Sequence, residues 1–201
     1  MSWIRNIFGG KSSPQEVLVK LPLVESWIDK TLADHAAQAR PVSELAKEYG
    51  FTRLQEFYSP ETLARMKVVV VDKVPMPPLS KMGIHGFREF ERMKAGGVTY
   101  KDTYFVKKSE VTRESLHFHE LVHTIQWDHL GFRPFMAAYA GGLGEKGYEN
   151  SPLETMAYDL EKHFEENGKP LNVEDFVRTQ LDMMQAQQPV EGKKRAGGSR
   201  G

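Results

Sequence analysis

Residues 112–131 read Thr-Arg-Glu-Ser-Leu-His-Phe-His-Glu-Leu-Val-His-Thr-Ile-Gln-Trp-Asp-His-Leu-Gly and are the most informative segment of the chain. A rotation of about 100° per residue predicts an amphipathic helix for this pattern. His119, Glu120 and His123 fall on one side of it, and the opposite side is apolar: Phe118, Leu121, Val122 and Ile125. The segment therefore predicts a helix that packs through one face and presents polar side chains on the other.

The same helix has recognisable ends. Thr112 or Ser109 can cap its start, and Glu114 suits the first turn because a carboxylate there interacts favourably with the helix dipole. Gly131 and the following Pro134 predict where it stops.

The five residues His119-Glu-Leu-Val-His123 carry the chemistry. Side chains four apart on a helix have Cβ atoms about 5–6 Å apart, so two imidazoles can reach one Zn²⁺. The intervening Glu120 stands beside the remaining coordination position, where its carboxylate can accept a proton from water. A structural histidine is expected on the other side of the helix, and His117 is interpreted in that way. The motif thus predicts zinc ligands with Glu120 as general base.

The segments on either side of this helix predict the fold class. Residues 66–72 form a β-branched run and are predicted to be a strand. Residues 99–106 are predicted to be a second strand, in which alternate residues, such as Tyr100 and Tyr104 against Phe105, face opposite sides. Apolar residues at three- and four-residue spacing between 23 and 49 predict helices, as does the remainder to about residue 188. We expect an α+β fold, a mostly helical single domain with a small two- or three-stranded sheet beside the zinc-motif helix.

Composition fits one folded domain with two tails. The chain has 201 residues, no cysteine, and 27 basic against 27 acidic residues. Without thiolates, a metal must be held by histidines and carboxylates. The domain is predicted to span residues 14–188, after a flexible N-terminal segment, residues 1–13. Residues 191–201 offer no large apolar side chain to bury, and residues 189–201 are predicted to form a disordered basic tail.

Charge and hydropathy also narrow the expected partners. A net charge of zero gives no electrostatic reason to expect binding to nucleic acid. No stretch approaches the roughly 20 apolar residues of a transmembrane helix, and we expect a cytoplasmic protein. The helical spacing of apolar residues within 3–8 is compatible with contact to a membrane surface, or with a terminal segment that docks or frays.

Two histidines do not complete a tetrahedral zinc site, so a third protein ligand is expected. The segment Ser151-Pro-Leu-Glu154 predicts the start of another helix, on which Glu154 and Glu161 share one face. Glu154 has a competing role, because Ser151 and Glu154 also fit a capping box. Spacing alone leaves Glu154 in even competition with Glu161, Glu149 or another acid.

The segment His119-Glu-Leu-Val-His-Thr-Ile-Gln126 resembles the active-site helix of zincin metallopeptidases. With residues 99–106 and the segment Tyr148-Glu-Asn-Ser-Pro-Leu-Glu-Thr-Met-Ala157, it is similar to compact, largely uncharacterised bacterial HExxH domains of gluzincin type. The resemblance spans roughly residues 98–165, about a third of the chain. In such domains the Pro-Leu-Glu segment supplies the third ligand, so the resemblance implies Glu154.

This resemblance implies a zinc metallopeptidase that hydrolyses a peptide or protein substrate with Glu120 as general base. A further donor should stabilise the oxyanion, and Tyr148 and Tyr158 are nearest in sequence to the third ligand. Asp159 or Asp128 is a candidate to orient a ligand histidine. The alternative function is a zinc-binding regulatory or protein-interaction module with little or no turnover.

Overall fold

The structure is a computed structural model, which describes residues 14–85, 88–145 and 151–186. These residues form nine helices: α1 (Pro14–Asp34), α2 (Val42–Tyr49), α3 (Leu54–Phe57), α4 (Pro60–Arg65), α5 (Arg88–Arg92), α6 (Glu114–Leu130), α7 (Phe132–Glu145), α8 (Pro152–Glu165) and α9 (Val173–Ala186). They also form four strands: β1 (Arg40–Pro41), β2 (Lys67–Val71), β3 (Gly97–Tyr100) and β4 (Thr103–Lys107). The predicted α+β class, mostly helical with one small sheet, is confirmed.

The predicted tails, residues 1–13 and 189–201, lie outside the described residues. None of the helices in the three described stretches is both long enough and apolar enough to span a bilayer.

The sheet has the strand order β1-β2-β4-β3. β2 runs parallel to β4, whereas β1 pairs antiparallel with β2 and β3 pairs antiparallel with β4. The predicted strand over residues 66–72 is present as β2, but the predicted single strand over residues 99–106 is a hairpin. Its turn is at Lys101 and Asp102, with Lys101 at φ 57°, and no glycine or asparagine marks it in the sequence. The hairpin and the two-residue β1 give the sheet four strands instead of two or three.

The upstream helices begin and end as their sequences predict. Ser59 caps α4 by accepting a hydrogen bond from the Thr62 backbone N–H, and Pro60 occupies the first helical position. Gly50 ends α2 with φ 70°, a left-handed conformation that glycine adopts without a steric cost. These short helices pack a buried apolar layer against the sheet that includes Leu45, Leu54 and Met66.

The start of α6 differs from the prediction. Arg113 is the N-cap residue and makes no side-chain capping bond, so neither Thr112 nor Ser109 caps this helix. Instead the Glu114 carboxylate accepts hydrogen bonds from the backbone N–H groups of Arg53 and Leu54, which join its first turn to α3. Gly131 ends the helix with φ 71°, as predicted.

α6 is the central helix of the fold. Every side chain from Ser115 to Trp127 is buried, including the face that carries His119, Glu120 and His123. The polar face is covered because α8 packs on one side of it and β3 on another. A helix that is amphipathic in sequence is therefore buried all round, and the elements that cover its polar face must compensate the polar groups there.

Candidate metal centre

Three side chains from two helices converge at one point. His119 and His123 project from adjacent turns of α6, and Glu154 projects from the first turn of α8. Each offers one ligand atom, and these atoms lie within 4.8 Å of one another. All three side chains are buried, with Glu154 fully so. This cluster is able to hold a metal ion.

The distances match those expected around one small cation. The two Nε2 atoms are 3.1 Å apart, and the Glu154 oxygens lie 3.5 Å from the Nε2 atoms of His119 and His123. Ligand atoms at about 2.0–2.1 Å from a tetrahedral Zn²⁺ are separated by about 3.3 Å. The donor set therefore has both the chemistry and the spacing that zinc requires.

Gln126 fixes the tautomer of His123. The amide nitrogen of Gln126 donates to the Leu153 carbonyl at 3.1 Å, so its amide oxygen is turned toward His123. That oxygen lies 2.8 Å from His123 Nδ1 and only accepts, which places the ring hydrogen on Nδ1. In the neutral ring, the form that binds a metal, Nε2 then has its lone pair directed at the cluster.

Glu161 fixes His119 in the same way. Its carboxylate lies 3.0 Å from His119 Nδ1 and is itself 3.7 Å from Arg113. Since a carboxylate only accepts, His119 carries hydrogen on Nδ1 and presents Nε2 to Glu154. Glu161 thus occupies the position of a histidine-orienting carboxylate, and the alternative that Glu161 is itself the third ligand is not supported by its placement.

The electrostatics of the cluster favour a bound positive charge. Burial alone would lower the pKa of His119, but its contacts with Glu154 and Glu161 raise it to about 10. Burial also opposes charge on His123, yet the nearby Glu154 carboxylate raises its pKa. Burial would raise the pKa of Glu154, but the positive charge of His123 and the hydrogen bond to His119 hold this pKa well below its usual range. Without a metal, protons supply this charge; a divalent cation is able to replace them.

Glu120 lies beside the ligand set. Its side chain is buried, and burial raises the pKa of its carboxyl group, which the charges of His119 and His123 partly offset. The Thr99 hydroxyl of β3 donates to Glu120 Oε2 at 2.6 Å. A buried carboxyl group with a raised pKa beside a possible metal site is a candidate for proton transfer.

A cavity of about 70 Å³ opens onto Glu120, His123 and Glu154. Its other walls are largely apolar and come from α1, from residues 77–84 and from β3, with contributions from Leu21, Val24, Ile28, Leu79, Ile84 and Val98. A hydrogen bond from Lys20 on α1 to the Gly83 carbonyl connects two of these walls. The general-base candidate and two ligand candidates therefore face one shared space.

The remaining predicted site residues have different positions. Tyr158 is 42% exposed, and its ring centroid lies 4.7 Å from that of His119, at the rim of the cluster. Tyr148, like the alternative ligand Glu149, lies outside the described residues. The Ser151 side chain makes no capping hydrogen bond, so that half of the expected capping box is not formed.

The prediction that Asp159 or Asp128 orients a ligand histidine is wrong. Asp159 is exposed, and Asp128 pairs with Arg65 and Arg178 at the surface. Glu161 and Gln126 perform the orienting contacts instead. A sequence signal existed for each: Glu161 follows Glu154 by seven residues on one helix face, and Gln126 follows His123 by three.

Comparisons with protein-family models, with curated proteins and with solved structures find no match to this chain. The functional argument therefore depends on the geometry of the described residues.

Proposed function

We propose that this protein is a zinc-dependent metallopeptidase of gluzincin type that hydrolyses peptide bonds, with Glu120 as general base. One observation carries the proposal: buried His119, His123 and Glu154 form a metal-capable cluster, and Glu120 opens onto the same cavity. A cluster that only stabilised the fold would not need a buried carboxylate beside it that shares a cavity with the ligands.

Zinc is the metal that best suits this donor set. Two imidazole nitrogens and one carboxylate oxygen form a three-ligand set that leaves one position open in tetrahedral coordination. Mg²⁺ and Ca²⁺ prefer all-oxygen sites with six or more ligands, which two histidines do not provide. The two Nδ1 hydrogen bonds, to Glu161 and Gln126, orient both imidazoles toward the cluster.

The residues of the chain then have separate roles. His119, His123 and Glu154 hold the zinc ion, which when bound supplies Lewis acidity that polarises a carbonyl group and makes water a stronger acid. Glu120 accepts a proton from the attacking water and later delivers it to the leaving amine. Tyr158, whose ring lies against His119, and Tyr148 are candidate donors to the oxyanion.

The substrate is proposed to be a peptide or protein that binds in extended form. β3 is an edge strand of the sheet, and residues 97–100 of this strand line the cavity. An extended chain is able to add to such an edge through main-chain hydrogen bonds. A cytoplasmic location of the protein remains a prediction from the sequence.

The direct test is Glu120→Gln, which keeps the size of the side chain and removes the proton acceptor. We expect full zinc occupancy and a loss of at least about a hundredfold in cleavage of fluorescein-labelled casein. Glu165→Gln is the matched control, because Glu165 is an exposed glutamate at the end of α8. Equal cleavage by Glu120→Gln and wild-type protein would overturn the proposal.

One observation favours the second candidate, a zinc-binding regulatory or protein-interaction module. α1 and residues 77–84 wall the cavity, and its volume of about 70 Å³ is small beside the roughly 300–1,000 Å³ of common ligand pockets. A covered metal site of this kind is compatible with little turnover. If this candidate is correct, Glu120→Gln leaves biological function intact, whereas His123→Ala, which removes the metal, abolishes it.

A further inference from the structure

The edge strand β3 makes a specific contact with the carboxylate of Glu120. Thr99 Oγ1 lies 2.6 Å from Glu120 Oε2 and 3.1 Å from the Glu120 backbone carbonyl oxygen. A hydroxyl group has one hydrogen, and the shorter distance falls in the range of a charge-assisted bond to a carboxylate. Thr99 is 7% exposed, so water competes little for this hydrogen bond.

A glycine on the same strand leaves room for the carboxylate. A Cβ atom added to Gly97 would lie 2.4 Å from Glu120 Oε1 and 2.8 Å from its carboxyl carbon, closer than real Cβ contacts. Gly97 has no positive φ to explain the absence of a side chain. Glycine at this position is therefore what lets the Glu120 carboxylate keep its present place, since a Cβ atom would force it to move.

We propose that β3 positions the general base: Thr99 holds one carboxylate oxygen of Glu120 by a hydrogen bond, and Gly97 provides the space in which the other oxygen lies. The inference rests on the proposed function, in which Glu120 accepts a proton. Thr99 and Gly97 are positioning residues and do not contact the substrate's reacting atoms through their side chains.

The physical benefit is a fixed direction for proton transfer. A glutamate side chain has several rotatable bonds, and each unfavourable rotamer moves the carboxylate away from the proton it must accept. The hydrogen bond to Oε2 restricts rotation, while Oε1 keeps its lone pairs for the proton. Since β3 also borders the cavity, the same strand positions the Glu120 carboxylate and lines the space in which the proposed peptide substrate would bind.

Kinetics of hydrolysis test this role. We expect Thr99→Val to lower kcat about ten- to a hundredfold on a fluorogenic peptide that the wild type cleaves, with KM and zinc content unchanged. Thr99→Ser should restore kcat to within about threefold of wild type, because it restores the hydroxyl group. Thr103→Val is the matched control, since Thr103 is a buried threonine whose hydroxyl bonds Asp102 and not the site.

Gly97→Ala tests the second half of the proposal. We expect a similar loss of kcat with zinc retained, because the carboxylate must move to admit a methyl group. The neighbouring Gly96→Ala is the control: the nearest atoms to its Cβ would be side-chain atoms of Glu110 and Leu116, at 3.3 Å, and not those of Glu120. Equal kcat values for the two alanine variants would contradict a role for Gly97.

A measurement without turnover separates this inference from the proposed function. We would determine urea midpoints of zinc-free protein for Thr99→Val, for Glu120→Ala and for the double variant. A hydrogen bond between the two side chains predicts that the double variant's shift is smaller than the sum of the single shifts. If no peptide is cleaved but the shifts are non-additive, hydrolysis is wrong and the placement of Glu120 by Thr99 is supported. Additive shifts, or an unchanged kcat in Thr99→Val, would overturn the inference.

Discussion

Glu154 is the ligand candidate that depends most on neighbouring positive charge. Its carboxylate is fully buried, 3.5 Å from each of two imidazole nitrogens. A buried carboxylate without compensating positive charge is costly, and two protonated histidines without the carboxylate would repel each other. The three groups therefore depend on one another, and removal of one should affect the remaining pair.

We expect Glu154→Ala to lower zinc affinity by at least about a hundredfold, because a three-ligand site loses its only anionic donor. Competition with a chromophoric chelator would measure the change. Glu165→Ala, an exposed glutamate at the end of the same helix, should bind zinc as the wild type does. Zinc affinity that is the same in both variants would rule out Glu154 as a ligand.

His117 illustrates the opposite kind of buried histidine. It is fully buried, where Nε2 donates to the Val111 carbonyl and Nδ1 accepts from the Tyr104 hydroxyl. Burial lowers its pKa from 6.5 to about 4. Both ring nitrogens are used in the core, which agrees with the interpretation of His117 as structural.

This pKa predicts an acid-sensitive stability. Between pH 6.5 and about 4 the unfolded chain binds a proton at His117 that the folded protein does not, so stability falls as pH is lowered through this window. The full effect is about 3 kcal/mol. Urea unfolding of zinc-free protein at pH 7 and pH 4.5 should show a smaller pH dependence for His117→Gln than for wild type.

The pKa values of the ligand histidines are raised, so their stabilising contribution is complete below pH 6.5 and is already smaller at pH 7. Both proteins keep these histidines, so this change is common to both and cancels in the comparison. An identical pH dependence in His117→Gln and the wild type would contradict the prediction.

At the scale of elements, the sequence predicts what depends on local periodicity. The positions of His119 and His123 follow from helical spacing, and β2 follows from its β-branched run. The β3–β4 turn and the start of α6 could not be predicted in this way. The residue of the turn with positive φ is Lys101 and not a glycine or asparagine, and the first turn of α6 has no side-chain cap but is joined to α3 by the tertiary contact of Glu114.

The same distinction between local pattern and tertiary contact applies to the residues of the candidate site. Glu120 and both histidines lie within five consecutive residues, whereas spacing leaves Glu154 among several candidates and only the resemblance to gluzincin-type domains favours it. Thr99 was not predicted, because it lies on another element and meets Glu120 only in the folded chain. Contacts between elements depend on how those elements pack, which a short motif does not encode.

One amide of α6 bonds both a ligand candidate and the backbone of α8. Gln126 bonds both His123 and the Leu153 carbonyl, so it connects a ligand on α6 to the first turn of α8, where Glu154 lies. We expect Gln126→Leu to reduce zinc affinity about 10- to 100-fold, as is typical when a group that orients a ligand is removed.

Circular dichroism should show that the Gln126→Leu variant retains its helices, and chelator competition should report the loss of affinity. Gln180→Leu on α9 is the control, because Gln180 is a partly buried glutamine that lines a second cavity, onto which none of the three ligand candidates opens. If both leucine variants bind zinc equally well, Gln126 does not orient His123.

For the whole molecule, the candidate metal centre lies within the buried core. α6 is buried from Ser115 to Trp127, and α8, α9 and β3 all pack on it. Local opening of the cluster therefore requires separation of packed elements. An ion that binds the folded chain and not the unfolded one stabilises the entire domain, and the size of that effect depends on what occupies the cluster when the ion is removed.

In zinc-free protein, protons occupy the cluster of His119, His123 and Glu154. The raised pKa of His119, about 10 against 6.5 when unfolded, contributes stability that is fully present below pH 6.5 and is lost as pH rises through about 10. Zinc competes with these protons, so the stabilisation that zinc provides should increase across the same window, by about 1.4 kcal/mol per pH unit for each proton displaced. Urea unfolding at pH 6.5 and pH 9, with chelator and with buffered zinc, measures both trends. A stabilisation by zinc that is independent of pH would show that the ion binds without displacing protons, and so binds elsewhere than the His119–His123–Glu154 cluster.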